Sequence, residues 1–522
     1  MTVTAQAERD APTEGTGSYV SAAVLTTATP LGLTLRETPQ SVSVMTSQRL
    51  EDQGLTTIQQ VLAQVPGVRT GSLGSELGNA SARGYAFSNY QFDGFNTYVE
   101  VLGGGAVPAS TLADMALYDR SEVLRGASGL VTGSGDPSGT INMVRKKPTA
   151  VYQRSVDAGI GSWHGKRGAA DISGPLNDAR TVRGRLIAVA QDGDSYIDHY
   201  GRKKGIVYGV VEADLGATTR LTAGFEHERT RVRGQGAYVG FPLWYRDGTR
   251  TDLPVSFTAA SRDNWLRLDS TKAFAALDQQ LGGDWQLKLS ASHARSTHED
   301  GRIFLRFNSS FANQAGDGIV LNASQRDGHI RQDSVDVNAR GPFTVFGRQH
   351  EAVLGATYGD YKQPITATNA SSGVNGTAAN LFTWDRSGSA QYGAAPVVGA
   401  YVMRQSSLYG ATRLQLGERF KLIAGARIFS HDYHFAEQWA GGRYATDSSE
   451  DGVVTPYGGL VYDIDGIHSV YASYATIYRP QTVRDRNGAV LDPTEGANYE
   501  AGLRARWSSC GPRTAWPAPG EA

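Results

Sequence analysis

The sequence predicts a small mixed α/β domain followed by an antiparallel transmembrane β-barrel. Three observations carry that reading. The chain of 522 residues holds 63 glycines and 24 tyrosines but one cysteine, a balance that suits a many-stranded, hairpin-rich protein. From about Val151 onward, amphipathic runs of roughly ten to fourteen residues recur between turns, with short turns on one side and long polar loops on the other, as in outer-membrane barrels. Before Val151 the pattern is different: one stretch has helical spacing, and short charged strands lie between glycine turns. Mean hydropathy is −0.34, and no window approaches the ~18 apolar residues of a membrane helix. Barrel strands escape such a scan because lipid-facing and lumen-facing residues alternate.

Composition excludes several classes. A net charge of −1 leaves no basic footprint for nucleic acid. The lone Cys510 excludes a disulfide framework and a cysteine metal site. Met1 is followed by Thr-Val-Thr-Ala-Gln-Ala-Glu-Arg, which is no signal peptide; the expectation is that the chain starts at a mature segment or from a displaced start codon. There is no His-Glu-x-x-His, no Gly-x-Ser-x-Gly elbow and no Gly-Lys-Ser/Thr phosphate loop, so nothing marks an enzyme. Gly133–Gly139 lacks the phosphate-loop lysine and contains Pro137, which reads as a tight turn. His431 and His434, three apart on a strand, fall on opposite faces.

In chain order, Thr2–Thr29 is polar and reads as a flexible lead-in. Ser41–Val44 alternates like a strand. Thr46–Gln64 has Leu50, Leu55, Ile58, Val61 and Leu62 at helical spacing, with Thr46 as N-cap and Pro66-Gly67 as the stop. Gly71–Gly78 and Gly103–Gly105 read as loops, and Thr111–Tyr118 as a short helical turn. Asp119–Leu130 reads as a strand ending in a glycine turn, and Thr140–Val144 as another strand before Arg145-Lys146-Lys147. So many charges on short strands must be satisfied against something, here the inside of the barrel.

The barrel runs include Arg183–Gln191, Ile206–Leu215, Arg220–His227, Trp285–His293, Glu351–Tyr358, Lys421–Phe429, Val453–Tyr462 and Ser469–Tyr478. Thr230–Asp269 and Tyr361–Val398 read as the longest loops. Tyr471, Tyr474 and Tyr478 read as an interfacial girdle. No fixed period supports a propeller. About fourteen strands are present, and Ser508–Ala522 abandons alternation. The expectation is a frameshift or truncation scar and a sheet with two open edges, each unpaired backbone group costing several kcal/mol in lipid.

Arg36-Glu-Thr-Pro-Gln-Ser41, Ala82-Arg-Gly-Tyr85, Phe92-Asp-Gly94, Glu122-Val-Leu-Arg-Gly126, Gly139-Thr-Ile-Asn142 and Lys147-Pro148, in this order, resemble the plug domain of TonB-dependent outer-membrane receptors. Asp198-His-Tyr200, Gly341-Pro-Phe343, Val470-Tyr-Ala-Ser-Tyr474 and Asn498-Tyr-Glu500 resemble their ferric-siderophore branch, in particular the ferripyoverdine receptor type. Its barrel has about twenty-two strands. The resemblance implies a lead-in at 1–30 with a TonB box at Thr2, Val3, Thr4 and Ala5, a plug at 31–149, a partial barrel at 150–507 and an aberrant tail at 508–522. It implies that Arg83 and Arg125 pair with barrel glutamates, Glu500 being one and the other lying on strands beyond this sequence. Trp265 and Trp384 match ligand-contacting tryptophans, and Tyr238 lies beside a third position, occupied by Ala237. Leu77 and Gly104 replace an apical arginine and tyrosine, which points to a related, hydroxamate-type chelate. Tyr98, Trp244 and Trp439 join as exposed aromatics.

The implied function is binding of a ferric siderophore at the outer membrane and import driven by TonB with its inner-membrane ExbB/ExbD complex. Outer-membrane lipid surrounds the barrel, and iron arrives already chelated, with no resident cofactor. Alternatives are another cargo such as haem, cobalamin or an oligosaccharide, a passive porin-like channel, or a non-functional remnant.

Overall fold

The computed structural model describes residues 12–21, 24–98, 113–236, 243–306, 311–388, 390–392, 397–439, 441–481 and 483–505. A plug of short strands sits within a long, curved antiparallel sheet. The plug's main sheet orders Val42–Thr46, Tyr118–Arg125, Gly139–Arg145, Asn89–Phe92 and Phe95–Tyr98. Only the pairing of Asn89–Phe92 with Gly139–Arg145 is parallel. A second sheet holds Val68–Leu73, Leu77–Ala82 and Tyr85–Ala86. Two of the plug motifs are hairpin turns, Asp93-Gly94 in the main sheet and Arg83-Gly84 in the second. Arg83-Gly84 and Asp93-Gly94 have φ of 54° and 88°, and 52° and 86°, the paired positive values of a type I′ turn.

The helical stretch at Thr46–Gln64 is two helices, Ser47–Asp52 and Ile58–Ala63. Gly54 at φ +61° breaks the run, and Thr57 starts the second helix with a capping box to Gln60. Thr46 caps the first helix by accepting from the Arg49 amide. Ile58, Val61 and Leu62 are fully buried in the plug core. Gly71–Gly78, expected as a loop, is most of a hairpin. The turn before Tyr118 is the 3-10 segment Met115–Leu117.

The lead-in is not flexible where it is described. Thr13, Leu25, Thr27 and Thr29 are buried. Asp119 accepts from the amides of Thr13 and Glu14 at 2.8 Å each, and Thr27 donates to Glu122. Its hydroxyls and amides thus join Arg120, which pairs with both Asp119 and Glu122 at 3.0 and 2.8 Å, in satisfying the plug's buried carboxylates.

The barrel wall runs as one antiparallel sheet of fourteen strands in sequence order, from Gln153–Ile160 to Thr494–Ala505, with Ala378–Ala379 and Ala390–Tyr392 attached at the side. Among the described residues the first and last strands each have one partner, so the sheet has two edges. Two stretches expected as loops are shorter than expected: Thr219–Arg233 and Trp265–Gln280 take the ends of the first and leave 234–264 between them, and Arg348–Gly373 reaches past Tyr361 into the second. Strand pairing continues beyond the apolar span because alternate residues still meet partners across the ladder.

Alternation sorts the two faces. Gln405 and Arg427 bond to plug carbonyls, so their parity marks the lumen. The other parity carries Leu354, Leu408, Ile428 and Val454, 64, 63, 45 and 56 % exposed. That is the lipid-facing band. Leu354→Arg should therefore cost about 2–4 kcal/mol if it lies near mid-membrane, read by urea titration of the barrel in lipid vesicles. An unchanged midpoint would remove Leu354 from the lipid face.

Candidate functional site: the plugged lumen

The plug is tied to the wall through buried charge. Arg145, on the last plug strand, is 5 % exposed at its side chain and bonds Asp93 of the hairpin turn at 2.6 Å and wall residue Glu226 at 3.4 Å. Lys272 from the next strand reaches Glu226 at 2.7 Å. The cations are capped by rings: Arg145 lies 4.5 Å over Phe274, and Lys272 lies 3.8 Å over Phe92. The Phe92-Asp-Gly94 motif therefore supplies both a ring and a carboxylate to this cluster. Sequence reading recognised the motif but missed its partners, because Glu226 and Lys272 are ordinary alternating residues until register is known.

Above this cluster, Asp114 accepts from Arg167 at 2.7 Å and Lys204 lies 3.2 Å away. Burial opposes ionisation of Asp114, but Lys204 and Arg167 outweigh it and hold the carboxyl below its usual range. Below it, Glu14 of the lead-in meets wall residue Arg185 at 2.6 Å and plug residue Lys146 at 3.5 Å. Burial again works against the charge of Glu14, and the Arg185 hydrogen bonds with the Lys146 charge overcome it, leaving its pKa lowered.

A second tie joins the last strand. Arg83 sits 3.0 Å from Glu500, which also accepts from Tyr471 at 2.7 Å and Ser41 at 2.5 Å. Arg83 donates to Asn498 as well. Gly126 permits this approach, since a Cβ there would lie 2.6 Å from the Arg83 guanidinium. Arg125 bonds the Pro66 carbonyl instead. Its pKa is lowered, by burial and by the neighbouring Arg83 charge, with Glu500 opposing.

Over the plug stands an aromatic wall that sequence reading did not pick out. Gln405 touches plug residues Thr132 and Ser134 at 3.0 and 2.7 Å. Two and four residues toward the long-loop end on the same face are Met403 and Tyr401, about 7 and 13 Å farther along the strand. Tyr401 stacks on Phe435 at 4.3 Å and meets Tyr433 edge-on at 6.1 Å. Tyr361 packs into the same cluster, and its cross-strand partner Gln332 donates to the carbonyl of plug residue Asn96. The recognisable signal was Tyr433 and Phe435 at period two, opposite Met403 and Tyr401.

The tryptophans lie elsewhere. Trp265 has the opposite parity to Lys272 on one unbroken ladder, so it faces away from the plug, with Arg267 4.8 Å over its ring. Trp384 packs in a loop core with Leu305, Leu321 and Leu381. Its indole N–H donates to the Ser387 carbonyl at 2.9 Å, and Arg386 covers its ring at 5.0 Å. Trp244 is half exposed on a small hairpin against Arg250. Tyr98 ends the plug strand Phe95–Tyr98 and Trp439 ends a wall strand. Thr2, Val3, Thr4, Ala5, Gly104, Ala237, Tyr238 and Cys510 lie outside the described residues. His431 is buried toward the lumen, while His434 pairs with Asp447 on the other face. Among the described residues no cluster of three His, Cys, Asp or Glu is placed to hold a metal ion.

A plug locked inside an antiparallel wall with an apolar outer face defines a plugged outer-membrane barrel. The family models agree. The TonB-dependent receptor plug domain matches residues 34–140, and the TonB dependent receptor-like β-barrel matches 208–514. The chain belongs to the TonB-dependent receptors. It is 37 % identical over 510 residues to the ferric-pyoverdine 358 receptor of Pseudomonas putida, a match spanning 95 % of this chain and 60 % of that one. It resembles the crystal structure of the ferripyoverdine receptor of the Pseudomonas aeruginosa outer membrane bound to ferripyoverdine, with a TM-score of 0.87 and 33 % identity over 94 % of this chain and 64 % of the other. The alcaligin outer-membrane receptor of Bordetella pertussis aligns with a TM-score of 0.73 and 30 % identity, covering 95 % and 73 %. The chain thus spans about 60 % of the length of the curated relative it matches.

Two predictions follow from the ionic ties. Glu226→Gln leaves Arg145 and Lys272 under-compensated and should cost about 3–5 kcal/mol, seen as plug release at lower urea; a change below about 0.5 kcal/mol would show that the cluster holds nothing. For Glu14, the lowered pKa fixes the sign. Its contribution is complete above the ordinary glutamate value of about 4.3 and is lost as pH falls through the lower folded value. A nitroxide at Ser18→Cys should stay immobile at pH 7 and loosen below about pH 4. Equal mobility at both pH values would rule out the Glu14 latch.

Proposed function

We propose that this chain forms the plug and part of the wall of a receptor that binds a ferric siderophore from outside and imports it with energy relayed by TonB and its ExbB/ExbD partners. The observation that carries the proposal is the pair of partly exposed rings Tyr401 and Phe435, stacked on the plug-facing side of the wall toward the long-loop end and backed by buried Tyr361 and Tyr433. Such rings offer rigid contact area with polar edges, suited to a bulky chelate. At the opposite end, the lead-in docks beneath the plug through Thr13 and Glu14, where a pull on the amino terminus would act first. The relatives' cargoes, ferripyoverdine and alcaligin, support a ferric chelate as the class. Iron is cargo, held by its own chelator, and the receptor makes and breaks no bond in it. Arg83 and Glu500 hold the plug rather than the ligand, and Thr2-Val-Thr-Ala5 is the segment offered to TonB by strand addition.

The test is binding and uptake of ferripyoverdine and of ferric alcaligin by the full receptor. Tyr401→Ala and Phe435→Ala should each weaken binding by about 1–3 kcal/mol, whereas Trp265→Ala should not. A protonophore should stop uptake and spare binding. Undiminished affinity in both aromatic variants would remove the wall from the site, and uptake that survives the protonophore would mark a passive channel.

A further inference from the structure

The outer face of the wall changes from apolar to charged at one level. On the strand Gly201–Asp214, exposed Val207 and Val211 mark the outward parity, and Leu215 continues it at the short turn. Outward residues from there toward the long-loop end are Ala213, Val211, Gly209, Val207 and Gly205. From Leu215 to Gly205 the chain covers about 33 Å. At a tilt of about 40° that rises about 25 Å, the height of a barrel's apolar band. The next outward residue is Lys203, which therefore stands at the upper rim of the band, where lipid headgroups begin.

At this rim the register sets like charges against each other. Lys203 lies directly opposite Arg231, and Arg231 directly opposite Arg267. Farther round the wall, about as far above the turn at Phe346-Gly347, Arg295 lies opposite Arg331, and Arg331 opposite Lys362. Like charges that face each other across a ladder repel, yet here two runs of three stand on consecutive strands. Carboxylates are too few to neutralise them. Asp269 is shared by Arg229 and Arg231 at 2.8 and 2.7 Å, and Asp333 by Arg331 and His293 at 2.9 and 2.6 Å. Lys203 has Asp192 at 3.3 Å, Arg267 has Glu299 at 3.6 Å, and Lys362 has Asp360 at 2.8 Å. Arg295 has no carboxylate partner among the described residues. Beyond Lys362 the pattern reverses. Arg404 lies opposite Asp360 on one side and Asp432 on the other, and His434 opposite Asp447. That arc neutralises itself.

We propose that the two runs of facing cations form a docking face for a membrane lipid whose headgroup carries phosphate monoesters. Each phosphate lies over a like-charged pair and turns its repulsion into attraction. Guanidinium groups suit this role because they take phosphate oxygens through two parallel hydrogen bonds. The cations point outward, so their partner belongs to the bilayer and not to the lumen. Directly below, exposed Val207, Phe225 and Leu289 offer apolar surface to the acyl chains of the same lipid. Above the first run, outward Ile303 and Leu305 carry the loop core with Leu321, Leu381 and Trp384, which roofs the face on its aqueous side. The proposal stands on the wall alone, whatever cargo the lumen takes.

The test places the full receptor in phosphatidylcholine nanodiscs and titrates diphosphorylated or monophosphorylated lipid A, with bound lipid counted by native mass spectrometry. Arg231→Gln with Arg267→Gln should weaken binding of the diphosphorylated lipid about tenfold or more. Arg404→Gln with Arg443→Gln, outward on the arc of unlike pairs, should change it less than about twofold. The unaltered receptor supplies a second measurement that needs no variant to fold. Loss of one phosphate from the lipid should weaken binding about threefold or more, and excess inorganic phosphate should leave the lipid bound. Equal effects of the two double variants, or an affinity indifferent to the number of phosphates, overturns the proposal. Complete displacement by inorganic phosphate marks a free-anion site and overturns the lipid assignment.

Discussion

Arg145 is the constraint around which the rest is arranged. A guanidinium on a plug strand, buried at 5 % side-chain exposure, must find carboxylate on both sides. It finds Asp93 within the plug and Glu226 on the wall. The first contact needs the Asp93-Gly94 turn with both residues at positive φ. The second fixes the height of the plug in the barrel, because only one residue on that strand face lies at the right level. Phe92 and Phe274 then close the cluster from plug and wall. Docking is specified by charge and sealed by rings.

From that level the other features fall into place. The short-turn end holds the lead-in and the start of the plug, where Arg36 reaches Asp463 and Glu37 meets Arg413. The long-loop end holds the aromatic wall. Both sides of the wall hold the plug through buried apolar packing and ion pairs together.

The two-part architecture could be read from the sequence, since glycine turns and alternation survive without knowledge of register. The fourteen wall strands were counted correctly for the same reason. The opposite faces of His431 and His434 and the Arg83–Glu500 tie were legible, but which aromatic residues face the plug was not. Tyr401, Tyr433 and Phe435 look like girdle aromatics until the ladder puts them on the plug's side. Trp265, one residue from fully buried Leu266, falls on the other face. The helix expected over Thr46–Gln64 split at Gly54 because a single positive φ outweighed the hydrophobic period. The lead-in read as flexible because its partners, Asp119 and Glu122, lie about a hundred residues away in sequence.

The most direct measurement replaces the charged cluster by apolar residues of similar size, Arg145→Met, Glu226→Leu and Lys272→Met together, and follows plug release in urea alongside energy-driven uptake. If the charges are there so that the plug can leave, the triple variant keeps its plug to equal or higher urea and loses uptake. A plug that dissociates more readily, or uptake that continues unchanged, would contradict the claim.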